Sequence, residues 1–241
     1  MTDTILVPFE LPDHKALSSV LVDDLATLDI VVLGHFAVPE QTPVEAAREQ
    51  FEAESQTTLD EIAERFREVG ATARTRLVFG KQRAETIDRV MIEEDCAAEL
   101  NPAPTDGISR ILVPVPAVDT FDRLPAFVDL LCEETTQEIT LFHVAEGEES
   151  RDAAETIVVE TSERMREAGF AADAVDTLVV EGESHDTEIL AVAADYDAVV
   201  MYAAESELSD HIFGSLPDRI GDETGDPVIV VRRDYDPEMA G

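Results

Sequence analysis

Ser184-His185-Asp186 places the three residue types of a hydrolytic relay side by side. Adjacent side chains diverge, whereas such a relay needs nucleophile, base and carboxylate converging within hydrogen-bond reach. The chain carries no GxSxG turn, Walker loop, HExxH helix or CxxC pair, so no familiar spacing for a nucleophile or a metal-activated water is present. A protein that is not an enzyme is expected. Cys96 and Cys132 have no metal-ligand spacing and read as free thiols. Asp234-Tyr235-Asp236-Pro237 reads as a solvated tail, and no metal site is expected.

Phosphate binding is the second chemistry to consider. Met201-Tyr202-Ala203-Ala204 is followed, nine residues on, by Gly214-Ser215. A glycine lets backbone amides approach a phosphate, and a helix starting there adds its partial positive charge. Gly214-Ser215 also reads as a helix start that needs no ligand, and that reading is preferred. Glu205, Glu207 and Asp210 set negative charge beside the segment and repel a phosphate. His35 and His143 are read at equivalent strand ends, the edge where open α/β sheets bind ligands. Packed or surface histidines are the preferred reading of both, with a base contact or a metal role as the alternative, because no cluster of other ligands accompanies either.

The elements that must position these residues come in two rounds. Ile5-Leu6-Val7-Pro8 returns as Ile111-Leu112-Val113-Pro114. Ile30 to His35 is echoed by Ile139 to His143, Leu77-Val78-Phe79-Gly80 by Leu178 to Gly182, and Asp95-Cys96-Ala97-Ala98 by Asp195-Tyr196-Asp197-Ala198. A repeat of roughly a hundred residues is too long for a solenoid and suits a duplicated domain. Short β-branched runs alternate with longer helical stretches, the pattern of βαβ units around a parallel sheet. Strands are predicted near 4–9, 29–36, 74–79 and 96–100, then near 110–115, 138–144, 176–181, 197–202 and 227–232. A long helix from Pro43 shows an apolar stripe from Val44 to Val69 and stops at Gly70; its counterpart, about 151–168, stops at Gly169. The first copy reaches the second ILVP strand without room for a last helix and strand. It is a truncated copy, 1–106, joined through Asn101-Pro102-Ala103-Pro104-Thr105-Asp106-Gly107 to a complete one, 107–241.

The 241 residues hold 54 acids against 17 bases, a net charge of −37, with only Lys15 and Lys81 as lysines. The load is spread over segments with clear apolar periodicity, which argues against disorder. Nucleic acid is an improbable partner, since phosphate contacts need a basic footprint. No apolar run approaches the length of a membrane span, and Met1-Thr2-Asp3-Thr4 has neither region of a signal peptide, so a cytoplasmic protein is expected with no membrane insertion.

The first strand, the strand order and the segment from Met201 through Gly214-Ser215 to Pro227-Val228-Ile229-Val230-Val231 together resemble the universal stress protein (UspA-like) family, in tandem over the whole chain. The resemblance implies an α/β fold of two Rossmann-like domains. It also implies a stress-response or regulatory role without catalysis, with ATP binding in the second half as the alternative. Nucleotide-binding members carry two glycines three apart, then nine residues, then Gly-Ser. Here the leading glycines are Met201 and Ala204, and only Gly214 and Ser215 match. The family's acid at the end of the first strand falls on Pro116 in the second copy and Glu10 in the first. His143 completes the candidate nucleotide contacts. An unidentified client protein and a homodimer through the last strand, 227–232, are the expected partners.

Dense carboxylate with almost no lysine resembles proteins of salt-accumulating halophiles. The Debye length shrinks from about 10 Å at 0.1 M salt to about 3 Å at 1 M, so molar salt screens most of the self-repulsion. The thermal midpoint is expected to fall steeply when about 3 M KCl is diluted to about 0.1 M; an unchanged midpoint would rule out the halophile reading.

Overall fold

The computed structural model describes residues 4–14, 17–105, 107–115, 128, 138–147, 151–202 and 216–232. Residues up to Pro104 form one compact unit, and a second begins at Thr105. The first unit runs β1 (Thr4–Leu11), α1 (Ser19–Asp24), β2 (Asp29–Ala37), α2 (Val44–Glu68), β3 (Thr72–Gly80), α3 (Arg83–Glu93) and β4 (Ala98–Asn101). The second runs β5 (Arg110–Pro114), β6 (Glu138–Glu146), α4 (Arg151–Glu167), β7 (Val175–Gly182), α5 (His185–Ala193), β8 (Ala198–Tyr202), α6 (Leu216–Thr224) and β9 (Val228–Val231).

Strand order in the first unit is β3-β2-β1-β4, and in the second β7-β6-β5-β8-β9. The pairings within each unit are parallel. Both units therefore wind outward from their first strand and then return to its other side. That reversal opens a crevice between the carboxyl ends of β1 and β4, and of β5 and β8. Between β4 and β5 the described residues form neither helix nor strand, in keeping with a first unit that stops one helix and one strand short.

Near-continuous apolar runs make these strands because helices cover both faces, so there is no solvent side for polar residues to alternate onto. Ile5, Leu6, Val7, Ile30, Val31, Val32 and Leu33 are all fully buried. On one face, Leu6, Val31 and Leu33 pack against Ile87, Val90 and Met91 of α3. On the other, Phe36 stacks on Phe51 of α2 at 5.0 Å between centroids. Pro43 stands one position before α2 as its N-cap rather than in its first turn. The two long helices end alike. Gly70 and Gly169 take φ of +105° and +115°. The amides of Ala71 and Phe170 reach back to the carbonyls of Phe66 and Met165 at 3.1 and 3.2 Å. Only glycine adopts that left-handed position without strain, so it marks the stop.

Register corrects one reading of the repeat. Ile5 pairs with Ile30 and Ile111 with Ile139, so His143 is the counterpart of Gly34, and His35 that of Val144. The two histidines are one residue out of step. Because side chains alternate, that single step sends them to opposite faces of their sheets. In the last strand Val228, Ile229 and Val231 are buried.

A Cβ built at Gly34 would lie 2.7 to 2.9 Å from methyls of Leu59 and Leu11, both buried. Gly34→Leu is therefore expected to destabilise the protein by about 1–3 kcal/mol through overpacking, read as a lowered urea midpoint in molar KCl. An unchanged midpoint would show that the α2 interface has slack.

Candidate functional site

In the second unit the crevice is built from the ends of β5, β6 and β8 and the start of α5. Met201 and Tyr202, the last residues of β8, are 8 % and 6 % exposed. Met201 packs in a core with Leu112, Phe142, Val144, Val199 and Ile220; its side chain belongs to the apolar interior. Ala204, Gly214, Ser215 and Pro116 lie outside the described residues. The helix expected near Gly214 begins at Leu216.

His143 is 2 % exposed, and its Nδ1 lies 2.6 Å from the carbonyl of Val115. A carbonyl only accepts, so Nδ1 carries the proton and, in the neutral ring, the lone pair is on Nε2. The ring meets that of His185 edge to face, with centroids 5.8 Å apart and planes at 81°. His185 is held from the other side. Its Nδ1 lies 2.7 Å from Oε1 of Glu146, and its backbone amide donates to the same oxygen. Glu146, from the end of β6, thus both satisfies the first amide of α5 and fixes one edge of the imidazole. A carboxylate at that helix end also opposes the partial positive charge of the amides.

The neighbours in sequence do not form a relay. Asp186 turns away to Arg219 of α6, whose Nη1 donates to it at 3.0 Å. The carboxylate that partners His185 comes from 39 residues earlier. Neither Glu146 nor His185 stood out as a pair in the sequence. The available signal was that one ends a strand and the other opens the helix after the neighbouring strand, which puts both at the carboxyl edge.

The first unit differs. His35 is 2 % exposed, and among the described residues neither ring nitrogen has a hydrogen-bond partner. Gly80 makes room for it, since a Cβ there would stand 3.4 Å from Nε2. Glu10 is its register partner on β1 and is exposed. Arg83, at the start of α3, donates to Oδ1 of Asn101 at 3.4 Å. Burial pushes the His35 imidazole below its ordinary pKa; the charge of Glu10 opposes that shift and Arg83 adds to it. His35 and His143 are thus both packed, but in unlike surroundings.

Comparison with known families places residues 107–232 in the "Universal stress protein family". That match spans more than half of the chain. The chain belongs to the universal stress protein family. Among solved structures it is similar to a universal stress protein from Archaeoglobus fulgidus, with a TM-score of 0.67 and 16 % identity over 97 % of this chain and 98 % of that one. A putative universal stress protein from Pseudomonas aeruginosa gives a TM-score of 0.49 and 17 % identity, covering 96 % of this chain and 93 % of that one. A universal stress protein in complex with cAMP gives 0.40 and 14 % identity, covering 52 % of this chain and 97 % of that one. The first of these likenesses shows a shared α/β fold. A comparison with curated proteins finds no significant match. Among the described residues of this universal stress protein, no helix is long and apolar enough to cross a membrane.

Its buried His35 sets a pH dependence. The folded pKa lies below the ordinary 6.5, so as pH falls past about 6.5 the unfolded chain takes up the proton first. The neutral ring's contribution is therefore fully present above that value and is lost as pH falls toward the folded pKa. Urea midpoints of the protein and of His35→Leu in molar KCl are expected to converge or cross between about pH 7.5 and 5.5, the unmodified chain losing more. Parallel curves would show that His35 does not feel its burial.

Proposed function

We propose that this universal stress protein is a regulatory module that runs no reaction and acts in a stress response by contact with a protein partner. One observation carries the reading: Met201, which stands at the leading glycine position of the family's nucleotide loop, is part of the core. Where nucleotide-binding members present bare backbone, this chain presents a packed thioether. His185, an imidazole held by the carboxylate of Glu146, has no hydroxyl or thiol in hydrogen-bond contact at Nε2 among the described residues. A nucleophile activated by it is therefore not supported. The acid load fits a protein working in concentrated salt, and the four-stranded first unit fits a copy that has given up its own phosphate segment.

A second reading is ATP binding by the second unit through Gly214, Ser215 and the amides that open α6. It is favoured by the crevice at the β5/β8 reversal and by a helix that begins at Leu216. The two readings differ in magnitude. A helix terminus contributes about 1–2 kcal/mol to an anion, whereas each lost charge-assisted hydrogen bond costs about 1.5–3 kcal/mol. Calorimetry with Mg²⁺ and ATP in molar KCl is expected to show no binding tighter than about 0.1 mM, roughly −5.5 kcal/mol. Micromolar affinity would reverse the order of the two readings. Met201→Gly is a poor probe of this point, because emptying its place in the core costs about 2–5 kcal/mol of stability.

A further inference from the structure

We propose that His35 is a proton-operated latch: while its ring is neutral the first turn of α3 stays closed over the end of β2, and proton uptake drives the ring out and lifts that turn. The device uses groups of the first unit only and does not depend on a protein partner. His35 is buried, and neither ring nitrogen has a hydrogen-bond partner among the described residues. A neutral imidazole carries one N–H and one lone pair, whereas an imidazolium carries two N–H groups and a charge. The neutral ring therefore leaves one donor unmet in this enclosure. The charged ring would leave two donors and a bare charge. A buried charge without a partner costs far more than a buried neutral group, so proton uptake and enclosure oppose each other.

Packing decides which element yields. Register and alternation put Glu10 of β1, His35 of β2 and Val78 of β3 in one row. That row lies on the face α3 covers through Ile87, Val90 and Met91. Gly80 leaves room for the ring at the start of α3: a Cβ there would stand 3.4 Å from Nε2 of His35 and 3.5 Å from the hydroxyl of Thr86. Thr86 belongs to the first turn of α3, and that turn is lightly held. Gln82, its N-cap, makes no side-chain capping bond. Arg83 reaches Oδ1 of Asn101 on β4 at 3.4 Å, longer than a typical bond of this kind. β2, by contrast, is paired along both edges. A turn with few fixed bonds opens more readily than a paired strand.

The charges around the ring give the motion its direction. Glu10 is exposed and offers an outgoing imidazolium a carboxylate at the solvent edge. Arg83 opposes proton uptake, as do the amides that open α3. From β3, Val78 and Gly80 bring no charge. From β4, Asn101 is neutral, and Glu99 pairs with Leu6 deeper in the sheet. On α3, Glu85 and Asp88 are exposed, whereas Thr86, Ile87 and Val90 are buried. Burial holds the ring below its ordinary pKa of 6.5, so the latch is shut at neutral pH and opens on acidification.

The test is amide hydrogen exchange of the full chain in molar KCl, followed by mass spectrometry between about pH 7.5 and about pH 5 and corrected for the intrinsic rate. Peptides covering residues 80–90 are expected to lose protection by about tenfold or more as pH falls, while peptides of β6 and α4 change little. His35→Gln and His35→Leu should abolish that loss. Two further variants keep the ring and so test the latch even where a His35 variant folds poorly. Glu10→Gln should move the midpoint of opening to lower pH and Arg83→Gln to higher pH, following the signs of their charges on the ring. A merely structural His35 would give no such opposite displacements. Constant protection of residues 80–90 across the range, or a loss that persists in both His35 variants, would overturn the proposal. Circular dichroism of each variant separates opening of α3 from loss of the fold.

Discussion

Each unit is organised by a central strand that is hydrogen-bonded on both sides and covered on both faces. β1 lies between β2 and β4, and β5 between β6 and β8, all in parallel. Parallel pairing forbids a short hairpin, so a return of the chain needs a crossover, and among the described residues α2 carries the chain from β2 to β3 and its counterpart α4 from β6 to β7. The helices in turn bury the strands and strip them of polar residues. Because the two neighbours of the central strand are reached in opposite directions, their outgoing loops separate at its carboxyl end. The candidate chemistry of this protein, His35 in one unit and Glu146, His143 and His185 in the other, lies at that edge as a consequence.

What stands at the edge depends on a second constraint, the alternation of side chains. A displacement of one residue between Gly34-His35 in β2 and Phe142-His143 in β6 carries the imidazoles to opposite faces. In the first unit the ring is enclosed beside α3, with Gly80 giving it space, and burial lowers its pKa. In the second, the ring reaches the Val115 carbonyl and meets His185. Two units with the same order of winding thus give the same residue type unlike surroundings.

Charge plays little part in holding either unit together. The carboxylates lie outside the apolar faces, and many of the few arginines are spent on partly exposed pairs such as Arg74 and Arg76 with Glu94, or Arg151 with Glu155. Pairs of this kind contribute about 0–1 kcal/mol each and are screened by salt. Arg110 and Asp197 are a more specific case. The Arg110 amide donates to one carboxylate oxygen and its guanidinium to the other, and the Asp197 amide returns a bond to the Arg110 carbonyl, tying the start of β5 to the start of β8. The core carries the stability.

The elements were legible in the sequence because their signals are local. Apolar runs at Thr4–Leu11, Asp29–Ala37 and Glu138–Glu146 announce buried parallel strands, and Gly70 and Gly169 announce helix ends through a backbone angle other residues resist. The strand winding and the family likeness follow from the order of those signals. Register, face and partnership did not follow. A single residue of slip between copies is invisible in an alignment of apolar runs, so His35 and His143 looked equivalent until pairing separated them. Met201 looked like part of a phosphate loop because its place in the chain allowed it, and only packing shows it in the core. Glu146 and His185 lie 39 residues apart, and no local pattern couples them. Their contact exists because β6 and β7 are neighbours and α5 starts where β7 ends, which the tertiary structure alone decides.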